Sequence, residues 1–204
     1  MPAGKTDGRR QRGDSTRRAI VEATIDVLAT DGFDGLTLRE VAARAGVSPA
    51  AATYHFGTVD ALVAAVLQEL DERATRRLAD LTERSRAGEL SLLDACTTYL
   101  ADLFGPGRSL ALTQLEIRLR AARAPGAHPQ VPPVHHDRQV IDLITTYTGD
   151  RRQAHELFLA VFGFATLGVL APAPPGTDAV RNYMAGLLAR HGLLDTDAPT
   201  GGAP

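Results

Sequence analysis

Tryptophan is absent from the 204 residues, and aromatic side chains make up only 5% of them. A core must therefore come from aliphatic residues, and a hydrophobic share of 44% can supply one. A single cysteine, Cys96, excludes an internal disulfide, and nothing around it has metal-ligand spacing. It reads as a small core residue. Charge of one sign is not in excess: a net charge of −2 excludes a generic polycation. The N-terminus is charged and lacks the apolar stretch of a secretion signal, so the expected location is the cytoplasm. The longest apolar run, Leu157 to Ala173, is broken by Gly163, Thr166 and Gly168 and is short for a membrane span. Strand-like alternation and internal repeats are missing. So are a nucleophile elbow, a phosphate loop and an HExxH motif, and no enzyme class is indicated.

What is present begins with an uneven charge. Through Arg18 there are six basic residues against Asp7 and Asp14, a net +4. Residues 1–13 have no apolar period and are expected to be a disordered basic arm, either a solvated tail or a phosphate contact. A first helix is expected from Ser15 to Asp31, with Ile20, Ala23, Val27 and Leu28 on one face. The stretch TLREVAARAGVSPAAATYHF, Thr37 to Phe56, then organises the chain. Thr37 caps a short helix, with Glu40 three residues on as in a capping box and Leu36 and Val41 as its hydrophobic staple. Gly46 supplies the left-handed end. Ser48 caps a second helix, and Pro49 sits at its first position, where a missing N–H costs nothing. Helix, glycine turn and helix in about twenty residues is the helix-turn-helix pattern, whose second helix enters the major groove. The bland reading is any two-helix corner. Against it, the second helix carries mostly small or hydrogen-bonding side chains and only Ala52 and Phe56 as apolar anchors.

Residues from about Ser15 to Leu67 resemble the DNA-binding domain of the TetR (tetracycline-repressor-like) family. The segments IVEATIDVLATDGFDGLTLREVAARAGVSPAAATYHF and GTVDALVAAV carry the resemblance. It implies a homodimeric transcriptional regulator, more a repressor than an activator, bound to a palindromic double-stranded DNA operator and to a small-molecule effector. The DNA contacts it implies are Thr37 and Arg39 across the phosphates, Ser48, Ala50 and Ala51 at base edges, Thr53 beside them, and Tyr54 and His55 on the backbone. Two residues depart from the family pattern. Thr53 stands where many members carry an aromatic residue, and Val59 where many carry a phosphate-binding lysine.

The expected fold is all-α. Residues 14–60 form the helix-turn-helix domain, 61–192 a helical ligand-binding and dimerisation domain, and 193–204 a disordered tail. A long helix capped by Thr58 carries the stripe Leu62, Val63, Val66, Leu67, Leu70, Ala74 and Leu78. A helix capped by Ser91 runs to Phe104, and another from Ser109 to Arg123 turns Leu112, Leu115 and Leu119 inward. The Pro-rich stretch 124–133 reads as a loop. Further helices are expected at Val134–Tyr147, Arg151–Leu170 and Thr177–His191.

The stretch LFLAVFGFATLGVL is apolar all round and so must be buried all round, as a core helix or against a symmetry mate. Phe162, Gly163, Ala165 and Gly168 are its candidate dimer contacts, and the resemblance favours the dimer. Tyr99, Leu103, Leu115, Glu116, Leu119, Phe158 and Phe162 are candidate effector contacts by spacing. Glu116 and Arg120 are either a helix pair or groups that orient a ligand. His128, His135, His136 and Asp137 have chemistry suited to zinc or iron. Adjacent histidines on a helix diverge, however, so no metal or cofactor is expected. The rival reading is a helical enzyme or metal-binding protein sharing the fold.

Overall fold

The structure, a computed structural model, describes residues 4–123 and 135–194, with side chains except at 4–10, 12, 135, 136 and 139. The Pro-rich stretch with His128, and the tail beyond residue 194, lie outside the described residues, as do the side chains of His135 and His136. Among the described residues there are nine helices and no strand. They are α1 Gly4–Thr30, α2 Leu38–Arg44, α3 Pro49–Phe56, α4 Val59–Arg86, α5 Leu92–Phe104, α6 Arg108–Arg123, α7 His135–Thr148, α8 Arg151–Leu170 and α9 Thr177–Arg190.

The basic arm differs from expectation. It is helical from Gly4 and continuous with α1. Lys, Arg and Gln are good helix formers and need no burial. Here they extend a helix already nucleated by its buried face at Ile20, Ala23, Val27 and Leu28.

Among the described residues, 4–70 and 113–123 form one compact unit, and 71–112 and 135–194 a second. The boundary expected at 60/61 thus falls ten residues later. The first turns of α4 belong with the head because Leu62, Val63, Val66, Leu67 and Leu70 are buried there. In the first unit α1, α2 and α3 pack around Ile20, Val27, Val41, Ala42 and Ala52, all fully buried. Each large aliphatic side chain among these contributes about 1.5–3 kcal/mol by leaving water. Thr24, also fully buried, gives its hydroxyl proton to the Ile20 carbonyl at 2.7 Å, so burying it leaves no donor stranded.

In the second unit α8 packs on α7 and α5, and α5 on α9. Ser91 caps α5 by accepting from the Asp94 N–H at 3.0 Å, and the Asp94 carboxylate meets Arg181 of α9 at 2.5 Å. Ser91 and Arg181 together hold that carboxyl below its usual pKa. Asp150 caps α8, accepting from the Arg152 N–H at 2.8 Å. At the far end of α8, Arg108 donates to the carbonyls of Val169 at 3.1 Å and Ala171 at 2.8 Å. Leu193, within the stretch expected as a tail, is buried.

Three expectations for α6 and α8 are corrected. On α6 the buried residues are Ala111, Thr113 and Ile117, and Leu119 is 51% exposed. Apolar side chains stand on every side of that helix, so their spacing does not select a face. The α8 helix is long and apolar enough, by length and composition, to cross a membrane, so length does not exclude a span. It is nevertheless not buried all round. Leu159, Phe162, Leu167 and Leu170 are exposed along one stripe, while Ala154, Leu157, Phe158, Gly168 and Val169 are buried.

Gly168 therefore lies opposite the exposed stripe. A Cβ there would clash with the edge of the Phe104 ring at Cζ and Cε1, and that ring is itself edge-on to Phe164 at 5.7 Å. Gly168→Ala gains about 1 kcal/mol of helix propensity but overpacks a filled site at a cost of about 1–3 kcal/mol. We expect a lower midpoint in thermal unfolding. An unchanged or raised midpoint would mean that the Phe104 ring moves aside freely.

Candidate nucleic-acid interface and interior cavity

The helix-turn-helix is assembled by local hydrogen bonds. The Thr37 hydroxyl accepts from the Glu40 N–H at 3.0 Å, and the Ser48 hydroxyl from the Ala51 N–H at 3.2 Å. Each such cap stabilises a helix by about 1 kcal/mol. Between them Gly46 takes φ +67°. The Val47 N–H then reaches the Ala42 carbonyl at 3.0 Å and the Gly46 N–H that of Ala43 at 3.2 Å. These two bonds close a Schellman motif and set the turn. Only one arm of the expected capping box is seen, because Glu40 Oε1 lies 3.3 Å from Arg44 Nη2.

Arg44 also meets Asp26 at 2.6 Å and Asp31 at 3.0 Å. These carboxylates hold its guanidinium above the usual pKa and tie α2 to α1. Arg44 is thus committed to the scaffold. Sequence reasoning missed this role, although the i, i+4 spacing to Glu40 was readable.

The outer face of α3 is what this scaffold displays. Ser48, Pro49, Ala50, Thr53 and Tyr54 are exposed, Tyr54 at 86%, and Ala51 and His55 are half-exposed. Ala52 is buried beneath them, and the half-buried Phe56 ring lies 5.2 Å from the Arg17 guanidinium of α1. The first turn of α3 holds no acidic residue, so the positive end of its dipole faces outward without a counter-charge. Thr37 and Arg39, at the start of α2, are exposed as well. A face of small side chains backed by a helix N-terminus suits close approach to an anionic groove.

The second unit encloses a cavity of about 110 Å³ lined from α4, α5, α7, α8 and α9. Its walls are mostly aliphatic, with Tyr99, Tyr147, Ser85, Thr82, Cys96 and Met184 as the side chains carrying polar atoms or sulfur. The Tyr147 hydroxyl donates to Ser85 Oγ at 3.2 Å in a buried contact. Burial pushes the Cys96 thiol up to about 12, so it faces the cavity as an inert thiol.

Residues 20–66 match the family model described as bacterial regulatory proteins, tetR family. The HTH-type transcriptional regulator BetI of Rhizobium meliloti is 33% identical over 95 residues, covering 44% of this chain and 45% of that one. The HTH-type transcriptional repressor Rv3405c of Mycobacterium tuberculosis is 36% identical over 90 residues, covering 42% and 44%. A TetR-family member from Streptomyces coelicolor superposes with a TM-score of 0.68 at 28% identity, over 84% of this chain and 97% of that one. The multidrug-binding protein EbrR, in complex with malachite green, gives 0.64 at 29% identity, over 84% and 96%.

At residues 20–66 the chain carries the N-terminal domain of the TetR family. Its matches to the curated relatives span somewhat less than half of their length.

The chain brings Ala50, Ala51, Thr53, Tyr54 and His55 together on α3 with Ser48 as its cap, and Thr37 and Arg39 at the start of α2. The Thr53 hydroxyl donates to the Pro49 carbonyl at 3.0 Å, which leaves its methyl as the outward group. The effector candidates are more scattered. Tyr99 lines the cavity. Leu115, Glu116 and Leu119 fall in the other unit. Glu116 and Arg120 form an exposed ion pair at 2.8 Å, and the Arg120 guanidinium lies 4.2 Å from the Phe33 ring. Phe158 packs with Ile141 and Ala154, Leu103 is not on the cavity wall, and Phe162 is exposed. Ser85, Tyr147 and Met184 were missed; the one available signal was the α4 stripe, which continues past Leu78 to Leu81 and Ser85.

If Tyr54 meets the DNA backbone, as the resemblance implies, Tyr54→Ala should weaken binding to all duplex sequences by a similar factor, because a backbone contact positions without specifying. Competition between two unrelated duplexes measures this. A loss confined to one sequence would assign Tyr54 to base reading.

Proposed function

We propose that the protein is a homodimeric, ligand-responsive transcriptional regulator of the cytoplasm. It acts as a repressor that leaves a palindromic operator when a small molecule enters the cavity of its second unit. The observation that carries this reading is the α3 face: small residues, an uncompensated helix N-terminus and an exposed Tyr54, held by capped ends and the Arg44 clamp. Thr37, Arg39, Ser48, Ala50, Ala51, Thr53, Tyr54 and His55 are its DNA contacts.

The exposed stripe of Leu159, Phe162, Leu167 and Leu170 supports the dimer, since an apolar strip of this kind marks an interaction surface. A two-fold axis then implies two half-sites. Gly163, on the same side of α8, permits close approach there: a Cβ at that position would meet nothing. The complexes of EbrR with malachite green, ethidium and proflavin support uptake of an organic effector by the helical body.

An effector can release DNA only through its differential affinity for two states. A near-complete switch needs about 5 kcal/mol, and operator DNA must weaken effector binding by the same factor. The test of the DNA-binding half is the affinity of purified protein for duplex DNA as salt is raised. We expect a steep linear fall of log affinity with log salt. Binding that is absent, or indifferent to salt, would overturn it.

A further inference from the structure

We infer that the cavity of the second unit takes an uncharged, largely apolar molecule of about one ring's size that presents a carbonyl or ether oxygen to the Ser85–Tyr147 pair. This rests on the effector role proposed for the cavity and narrows it to a ligand class.

Size comes first. A volume of about 110 Å³ is close to that of engineered apolar cavities of about 150 Å³ that hold benzene. Charge comes second. Among the described residues no ionisable carboxylate, ammonium or guanidinium group lines the cavity. Leu81, Leu100, Leu157 and Met184 on its walls are almost wholly buried. An ion entering such a space loses its hydration and finds no counter-charge, which apolar contact cannot offset. Asp71 and Asp137 act on the Tyr99 hydroxyl, yet neither is on the wall.

The hydrogen-bonding groups settle the polar end. The Thr82 hydroxyl already donates to the Leu78 carbonyl at 2.7 Å. Tyr147 gives its proton to Ser85, and both are almost fully buried. Ser85 therefore still has its own hydroxyl proton to donate, and an acceptor on the ligand would receive it. Burial is the main reason the Tyr99 hydroxyl is pushed up to about 12, so it keeps its proton at neutral pH. With the Cys96 thiol equally protonated, the ligand is held without a covalent bond.

The test is calorimetry on the full chain without DNA, using acetophenone, ethylbenzene, benzoate and ethidium as probes. Acetophenone and ethylbenzene should bind, with benzoate and ethidium at least about 100-fold weaker than acetophenone. Ser85→Ala should weaken acetophenone about fivefold to tenfold, the share of one hydrogen bond, and leave ethylbenzene unchanged. Should Ser85→Ala not fold, Ser85→Cys is measured in its place, with the same selective loss expected, because a thiol of similar size is only a weak donor. Benzoate or ethidium binding as tightly as acetophenone, no binding of either neutral probe, or equal effects of the variant on both would overturn the inference. Operator release is scored separately. Acetophenone that binds but leaves the operator in place removes the effector role, whereas release by the charged probes alone removes the ligand class.

Discussion

Ala51→Glu should abolish operator binding, by at least about 100-fold, while leaving the protein folded. Ala51 sits in the first turn of α3, its N–H bonded to the Ser48 hydroxyl. Glutamate three residues after a serine N-cap completes a capping box, so the helix should be unchanged or slightly firmer. The same carboxylate would face the phosphates, where a like charge costs several kcal/mol. Circular dichroism and thermal unfolding check the fold, and anisotropy with labelled operator checks binding. Wild-type affinity in a folded Ala51→Glu protein would mean that α3 is not the reading helix.

Leu167→Glu should turn the proposed dimer into a monomer and lower operator affinity by at least about 100-fold. Leu167 is 72% exposed on α8, in the stripe with Leu159, Phe162 and Leu170, so the charge need not disturb the core of its own chain. A partner covering that stripe would have to bury the carboxylate unpaired. Each head would then bind alone and lose the high effective concentration that its twin provides. Phe162→Glu, 49% exposed, should act alike. Gly168→Glu would not probe the dimer, because the new side chain would meet Phe104 within the same chain. Sedimentation at micromolar concentration decides the matter, and a monomeric wild type would remove the dimer.

The head was legible in the sequence because its signals are local. Thr37, Ser48, Pro49 and Gly46 each act within four residues, and each carries the role its type implies. The ends of α8 were legible for the same reason, with Asp150 before it and a proline-rich loop after it. Which face of a helix turns inward was harder to read. On α6 the leucines surround the axis, and Leu119 proves exposed where burial was expected. The lining of the cavity was legible only at Tyr99. A void forms where side chains from helices far apart in sequence fail to fill the space between them, and spacing along one helix carries no record of it. The helical arm from Gly4 shows the converse limit: lack of an apolar period was read as disorder, although such residues can prolong a neighbouring helix.

Selection of bound duplexes from a random library by the purified protein tests the central claim most directly. Recovery of one palindromic sequence is expected, with half-sites centred about one helical turn or a multiple of it apart. No enrichment over the starting library, with protein shown to be folded and dimeric, would contradict sequence-specific regulation.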